Sequence, residues 1–136
     1  MNKKITQRDV DILLRIAEIY NTEIDFKATM WFWGEFKEKT YEEFRQKYPQ
    51  GSLGLQYFER FTSRLELVGT LSVNKLFNEE LWFEKYGSEW AEWQKAKPIV
   101  YGLRKEWNEP RYREYFELLV KKGEIWRKRH KSLIKQ

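Results

Sequence analysis

A chain of 136 residues that is 41% hydrophobic and 35% charged has the apolar complement of one folded domain, burying roughly two-thirds of its unfolded surface, and is not disordered. The absence of cysteine excludes disulfides, thiolate nucleophiles and zinc–cysteine sites, and fits an intracellular protein. The net charge of +5 is unevenly spread: residues 121–136 carry +6, which leaves −1 for the first 120.

The chain opens as MNKKITQRDVDILL, with no long apolar run after its lysines, so no signal peptide is expected. The most apolar local run, 28–34, is far shorter than the roughly 20 residues that cross a bilayer. A soluble, cytoplasmic protein is the expectation. Thr6 reads as an N-cap, with Asp9 in the first turn at the positive end of the helix. Val10, Leu13, Leu14, Ala17 and Tyr20 then recur at helical spacing. Asn21 and Thr22 end this helix and start the next, which carries Ile24, Met30, Trp31, Phe32, Trp33 and Phe36. Its MWFW cluster covers most of the circumference, so contact on more than one side is expected.

Thr40 and Glu43 have capping-box spacing and start a short third helix through Tyr48, broken by Pro49, Gly51 and Ser52. Helix four carries Leu55, Phe58, Phe61, Leu65 and Val68, with Gly69 as its expected stop. Ser72 is placed as the cap of a short turn holding Val73, Leu76 and Phe77. A further short helix, about 78–86, closes at Gly87. Ser88 reads as the cap of the longest element, whose stripe is Trp93, Ala96, Val100, Leu103 and Trp107. Pro98 sits inside that stripe, where it removes a backbone donor; it either kinks the helix or breaks it at Lys97. After the turn Asn108-Glu109-Pro110, a last helix places Tyr112, Phe116, Leu119, Gly123, Trp126, His130 and Leu133 on one face. Gly123 either permits close packing or ends the helix early. No segment alternates like a strand. The expected fold is all-α, a single domain over 1–136. It is a compact bundle of about six or seven helices with a long C-terminal hairpin and a basic helix end at 121–136.

Catalytic patterns are sparse. His130, the only histidine, has no serine or cysteine partner in a recognisable motif and reads as a surface or packing residue. Glu42-Glu43 and Glu79-Glu80 are adjacent pairs that point to different helix faces, so neither forms an acid–base dyad. There is no Glu-x-x-His for a carboxylate-bridged metal site. The segment Gly51-Ser-Leu-Gly54 is too short for a phosphate cradle and lacks a preceding strand. Trp90, Trp93, Trp107 and Trp126 could stack bases, but at helical spacing they read as core. The basic end is the main positive feature. Lys121, Lys122, Arg127, Lys128, Arg129 and Lys131 surround a helix whose apolar face would hold Trp126 and Leu133. Such a helix could grip phosphates, lie on an anionic membrane, or simply be a solvated helix end whose cations suit the dipole.

From Phe58 onward an order of short motifs stands out. It comprises Phe58-Glu59, Gly69, Tyr86-Gly87, Trp90 or Trp93, Lys97-Pro98, Pro110-Arg111-Tyr112 and Phe116-Glu117-Leu118-Leu119. Over about half the chain this order resembles an uncharacterised bacterial and phage helical domain of unknown function. Where that pattern has Leu-Phe-Gly, this chain has Lys85-Tyr86-Gly87. The resemblance implies an all-helical fold and brings no active residues. Some members carry a membrane segment ahead of the domain; none is expected here. The expectation for function is a non-enzymatic helical binding module, encoded by a bacterium or mobile element, with no cofactor and no metal. It would meet a protein partner or a second copy of itself. The alternative is nucleic-acid binding through the basic C-terminal helix.

Overall fold

The computed structural model describes residues 4–134. Among them the chain is all-helical, with seven helices and no strand: α1 (Gln7–Tyr20), α2 (Glu23–Gly34), α3 (Tyr41–Lys47), α4 (Leu53–Val73), α5 (Glu80–Lys85), α6 (Glu89–Glu106) and α7 (Glu114–Arg129). Lys135, one of the cations counted in the basic tail, lies outside the described residues.

The first four helices start at hydroxyl caps. Thr6 accepts the Asp9 N–H while the Asp9 carboxylate accepts the Thr6 N–H at 2.8 Å, a full capping box. The same carboxylate accepts the Asn78 N–H at 2.7 Å, which ties the start of α1 to the α4–α5 connection. Thr22, Thr40 and Ser52 cap α2, α3 and α4 in the same manner. The inner face of α1 is built on Ile16, flanked by Ile12 and Tyr20; Leu14, expected there, is exposed. α2 stops at Gly34, two residues before Phe36, which is nevertheless fully buried.

α4 is the central element and, at 21 residues, the longest; α6 has 18. α2 packs on α4 from one side and α7 from another. Its stripe Leu55, Phe58, Phe61, Leu65 and Val68 is buried as its spacing requires. α4 does not stop at Gly69. A Cβ there would come within 2.1 Å of the Tyr115 carbonyl oxygen, so the glycine serves the close approach of α7. Nor does Ser72 open a turn, because it lies inside α4. The helix ends four residues later than expected, in a Schellman motif. Lys75 takes the left-handed position at φ 57°, its N–H donates to Ser72, and the Leu76 N–H donates to Leu71.

α6 and α7 form the expected antiparallel hairpin, joined by 107–113. Arg104 pairs with Glu117 at 2.9 Å at the loop end, and Glu89 pairs with Arg127 at the far end. Ser88 precedes α6 without capping it; its hydroxyl donates to Glu92 instead, at 2.9 Å. α6 runs unbroken through Pro98, and the buried neighbours Ile99 and Val100 hold the turn against the core. α7 is shorter than its sequence stripe: Tyr112 and Leu133 lie outside it, and Leu133 is 97% exposed. Arg113 enters α7 at φ 59°, held by its guanidinium on the Thr62 hydroxyl at 2.9 Å and the Glu59 carbonyl at 3.0 Å. Gly123 lies within α7, which continues to Arg129; an added Cβ would meet the Glu89 carboxylate at 2.2 Å. The core between these helices is largely aromatic, with Phe32 stacked on Phe61 at 3.9 Å and Phe36 edge-on to Phe44 and Phe58. Among the described residues no helix is long and apolar enough to cross a membrane.

Candidate functional site

The segment after α2 is fixed by one ring. The Glu35 and Phe36 N–H groups both donate to the Trp31 carbonyl, which closes the helix. Phe36 then drops into the core and stacks on Trp31 at 5.2 Å. With Phe36 anchored, Lys37 and Lys39 project from the surface, while Glu38 folds back towards Lys47 at 3.5 Å. Opposite this segment lies one face of α6. A groove between the two is lined by Phe36, Lys37, Lys39, Trp90, Lys95 and Pro98, among others. Trp90 is 50% exposed, contrary to its expected place in the core, whereas Trp93 on the same helix is buried. Trp90 stands at the margin of the α6–α7 hairpin: it faces the groove on one side and shares a second cleft with Glu124, Arg127 and Lys128 of α7 on the other.

Lys95 spans the groove floor. Its ammonium lies 5.4 Å from the Phe32 ring centroid, 5.6 Å from Trp33 and 5.0 Å from Phe36. Burial against these rings lowers its pKa, opposed by the Glu38 charge. Through Trp33 the groove joins a second feature. Phe26, Met30 and Trp33 are 64%, 58% and 46% exposed and lie at helical spacing on the face of α2 that points away from α4. The circumferential apolarity of α2 therefore has an inner half, Ala28, Trp31 and Phe32, that is buried, and an outer half that stays open.

The six cations of the C-terminal segment, five on α7 and Lys131 past its end, do not share one face. Lys122 is committed to Glu79 at 2.7 Å and to the Ser72 carbonyl at 3.2 Å. Arg127 is committed to Glu89 and to the Gly87 carbonyl at 2.8 Å. Lys121, Lys128, Arg129 and Lys131 are exposed, and among the described residues they make no ion pair. Arg129 lies beside Lys122 and His130 on one flank, whereas Lys128 lies beside Trp90 on the other. His130 stacks on Trp126 at 4.4 Å with its Nε2 3.5 Å from Glu80, which makes it a packing residue of the helix end.

Several charged groups are buried. Glu89 is enclosed by Gly123, Phe83 and Arg127, so this Arg–Glu pair acts as a clamp between α6 and α7. Glu92, one turn on, is 9% exposed. Burial raises its pKa from 4.5 to about 7, opposed by the Ser88 hydroxyl and the Arg64 charge and assisted by Glu89. Arg64 enters from α4 and lies over the Tyr20 ring at 4.3 Å and the Phe61 ring at 4.8 Å. Asp25 is fully buried. Burial pushes its carboxyl up, but the Arg60 guanidinium at 2.8 Å and the Thr22 hydroxyl outweigh it and hold the pKa below the ordinary range. Among the described residues no three His, Asp or Glu side chains converge as a metal ion would need. Sequence reasoning missed Trp90, Lys95 and the open stripe of α2. The signal that pointed to the stripe was the apolar circumference of α2, which exceeded what one packing face can use.

A family model described as a domain of unknown function, DUF4760, matches residues 5–123. The groove and the α2 stripe lie inside that span; Arg127, Lys128, Arg129 and Lys131 lie beyond it. No curated protein and no solved structure matches the chain.

Proposed function

The chain belongs to this family of helical domains, and on that premise we propose that it is a non-enzymatic interaction module acting in the cytoplasm, whose groove receives an acidic, aromatic-bearing segment of a partner protein. The observation that carries this reading is Trp90, half exposed at the wall of a groove that also holds Phe36 and Pro98. Half-buried tryptophans in apolar clefts are the usual anchors of protein interfaces, because they bring large area at little entropy cost. Charge sets the partner's chemistry. Lys37, Lys39 and Lys95 border the groove, and the acid among them, Glu38, is drawn towards Lys47. Two of the buried acids support a non-enzymatic reading because they close helix–helix contacts: Glu89 on Arg127, Asp25 on Arg60. Selection from a random peptide-display library tests the proposal. Peptides rich in Asp or Glu with an aromatic anchor are expected, and Trp90→Ala is expected to weaken them by roughly tenfold or more. Recovery of peptides indifferent to Trp90→Ala would overturn it.

A second reading rests on the exposed, ion-pair-free Lys121, Lys128, Arg129 and Lys131: these would hold nucleic-acid phosphates. A salt series with single- and double-stranded DNA and RNA tests it. Binding that weakens steeply with salt, with a shallower slope when these four are changed to Gln, supports it; no binding at low salt removes it.

A further inference from the structure

Lys37, Lys39 and Lys95 make the groove cationic, and Glu38 is the one acid in its lining. A groove that reads carboxylates thus carries a carboxylate of its own. The Glu38 side chain is only 13% exposed, and its charge reaches Lys95, where it works against the loss of the ammonium proton that burial favours. Lys95 rests on its three rings and makes no ion pair among the described residues. Glu38 is turned aside by Lys47, which ends α3 and is not part of the groove lining. The Lys47 ammonium lies 3.5 Å from Glu38 Oε2 and 5.5 Å from the centre of the Tyr48 ring, and the Lys37 N–H donates to Oε1 at 3.4 Å. We propose that Glu38 is a built-in competitor of the groove's acidic partner, and that Lys47, from outside the groove, sets how strongly it competes.

The inference rests on the groove as the binding surface and adds its regulation. Both contacts that hold Glu38 are long, and Lys47 is 58% exposed, so the pair is a weak one. A weak pair leaves Glu38 free to turn to Lys95, the other cation whose charge it feels. With Lys47 in place the carboxylate leans out of the groove, and Lys95 is open to a carboxylate of the partner. Without Lys47, Glu38 satisfies Lys95 itself and repels an incoming acid. Like charges repel more strongly in a partly desolvated cleft than in water, so a small turn of Glu38 has a measurable effect. Lys47 is accordingly a positioning residue: it touches no partner and acts through Glu38.

Fluorescence anisotropy with a labelled peptide, a tryptophan flanked by aspartates, tests this. The same peptide with asparagines in place of the aspartates is the neutral control. Glu38→Gln is expected to tighten the acidic peptide by roughly threefold or more and to leave the neutral one unchanged. Lys47→Gln is expected to weaken the acidic peptide by about threefold, whereas Lys47→Arg, which keeps the charge, binds as wild type does. Added to Glu38→Gln, the change Lys47→Gln should have no effect, because the residue through which Lys47 acts is gone. An acidic-peptide affinity left unchanged by Glu38→Gln or by Lys47→Gln overturns the inference. So does a Lys47→Gln loss of equal size with and without Glu38, which would be the long-range effect of one charge. Binding that depends on Trp90 but is indifferent to Glu38 and Lys47 leaves the groove standing and removes the competitor alone. An acidic peptide that binds none of the proteins removes both.

Discussion

Glu92 shows how a single side chain couples this fold to pH. In the folded protein its carboxyl keeps its proton up to about pH 7, whereas unfolded it ionises near 4.5. The folded state therefore binds more protons between those values, and stability falls as pH rises from about 4.5 to about 7, then levels. The full loss is on the order of 3 kcal/mol. The charged groups that face it are Arg64 from α4 and Glu89 one turn away on α6. Urea unfolding at pH 5 and pH 8 should show this decline in wild type and not in Glu92→Gln; a parallel decline in both would place the effect elsewhere. Gly69 makes a second residue-scale case. Its missing Cβ lets the Tyr115 backbone sit against α4, and a backbone carbonyl cannot swing aside as a side-chain tip can. Gly69→Ala should cost at least about 2 kcal/mol by chemical denaturation. A cost near zero would mean that α7 slides freely on α4.

At the scale of elements, the caps Thr6, Thr22 and Thr40, the stripe of α4, and the C-terminal hairpin were all legible, because periodicity and hydroxyl capping are local properties. The end of α4 was not. Gly69 carried the usual stop signal, but its glycine serves packing with α7, while the left-handed position fell to Lys75, which no local rule favours. Lys75→Gly should therefore stabilise the protein. Relief of about 1–2 kcal/mol of left-handed strain exceeds the added freedom of the unfolded chain, leaving a gain of about 0.5–1 kcal/mol in urea unfolding. A loss of stability would show that the Lys75 side chain contributes contacts worth more than the strain. Pro98 was ambiguous in sequence for a related reason. Whether a helix survives a proline depends on the packing on either side, here Ile99 and Val100 in the core.

For the whole molecule, the all-α class and the aromatic core followed from composition and period, and the family match over 5–123 agrees with the resemblance carried by the residues from Phe58 onward. The functional surface was less legible. Trp90 and Trp93 look alike in the sequence, and only the rotation of α6 against α7 decides which is buried. The six cations that looked like one feature divide in the structure. Lys122 and Arg127 are tied to Glu79 and Glu89, partners that lie 43 and 38 residues away in sequence. Tertiary pairing of this kind leaves no local trace. What emerges is a small helical body with one open helix face that runs into a cation-rimmed groove, and Trp90 stands between that groove and Lys128 of α7.

The most direct test of that picture is a titration followed by the indole N–H signals of the tryptophans in a two-dimensional NMR spectrum. An acidic peptide with an aromatic anchor and a single-stranded oligonucleotide would be compared. If the groove is the working surface, the peptide shifts the Trp90 and Trp33 indoles first and leaves Trp126, beneath His130 on α7, unmoved. If the peptide moves nothing while the oligonucleotide shifts Trp126 and the end of α7, the groove account is wrong and the basic helix is the binding element.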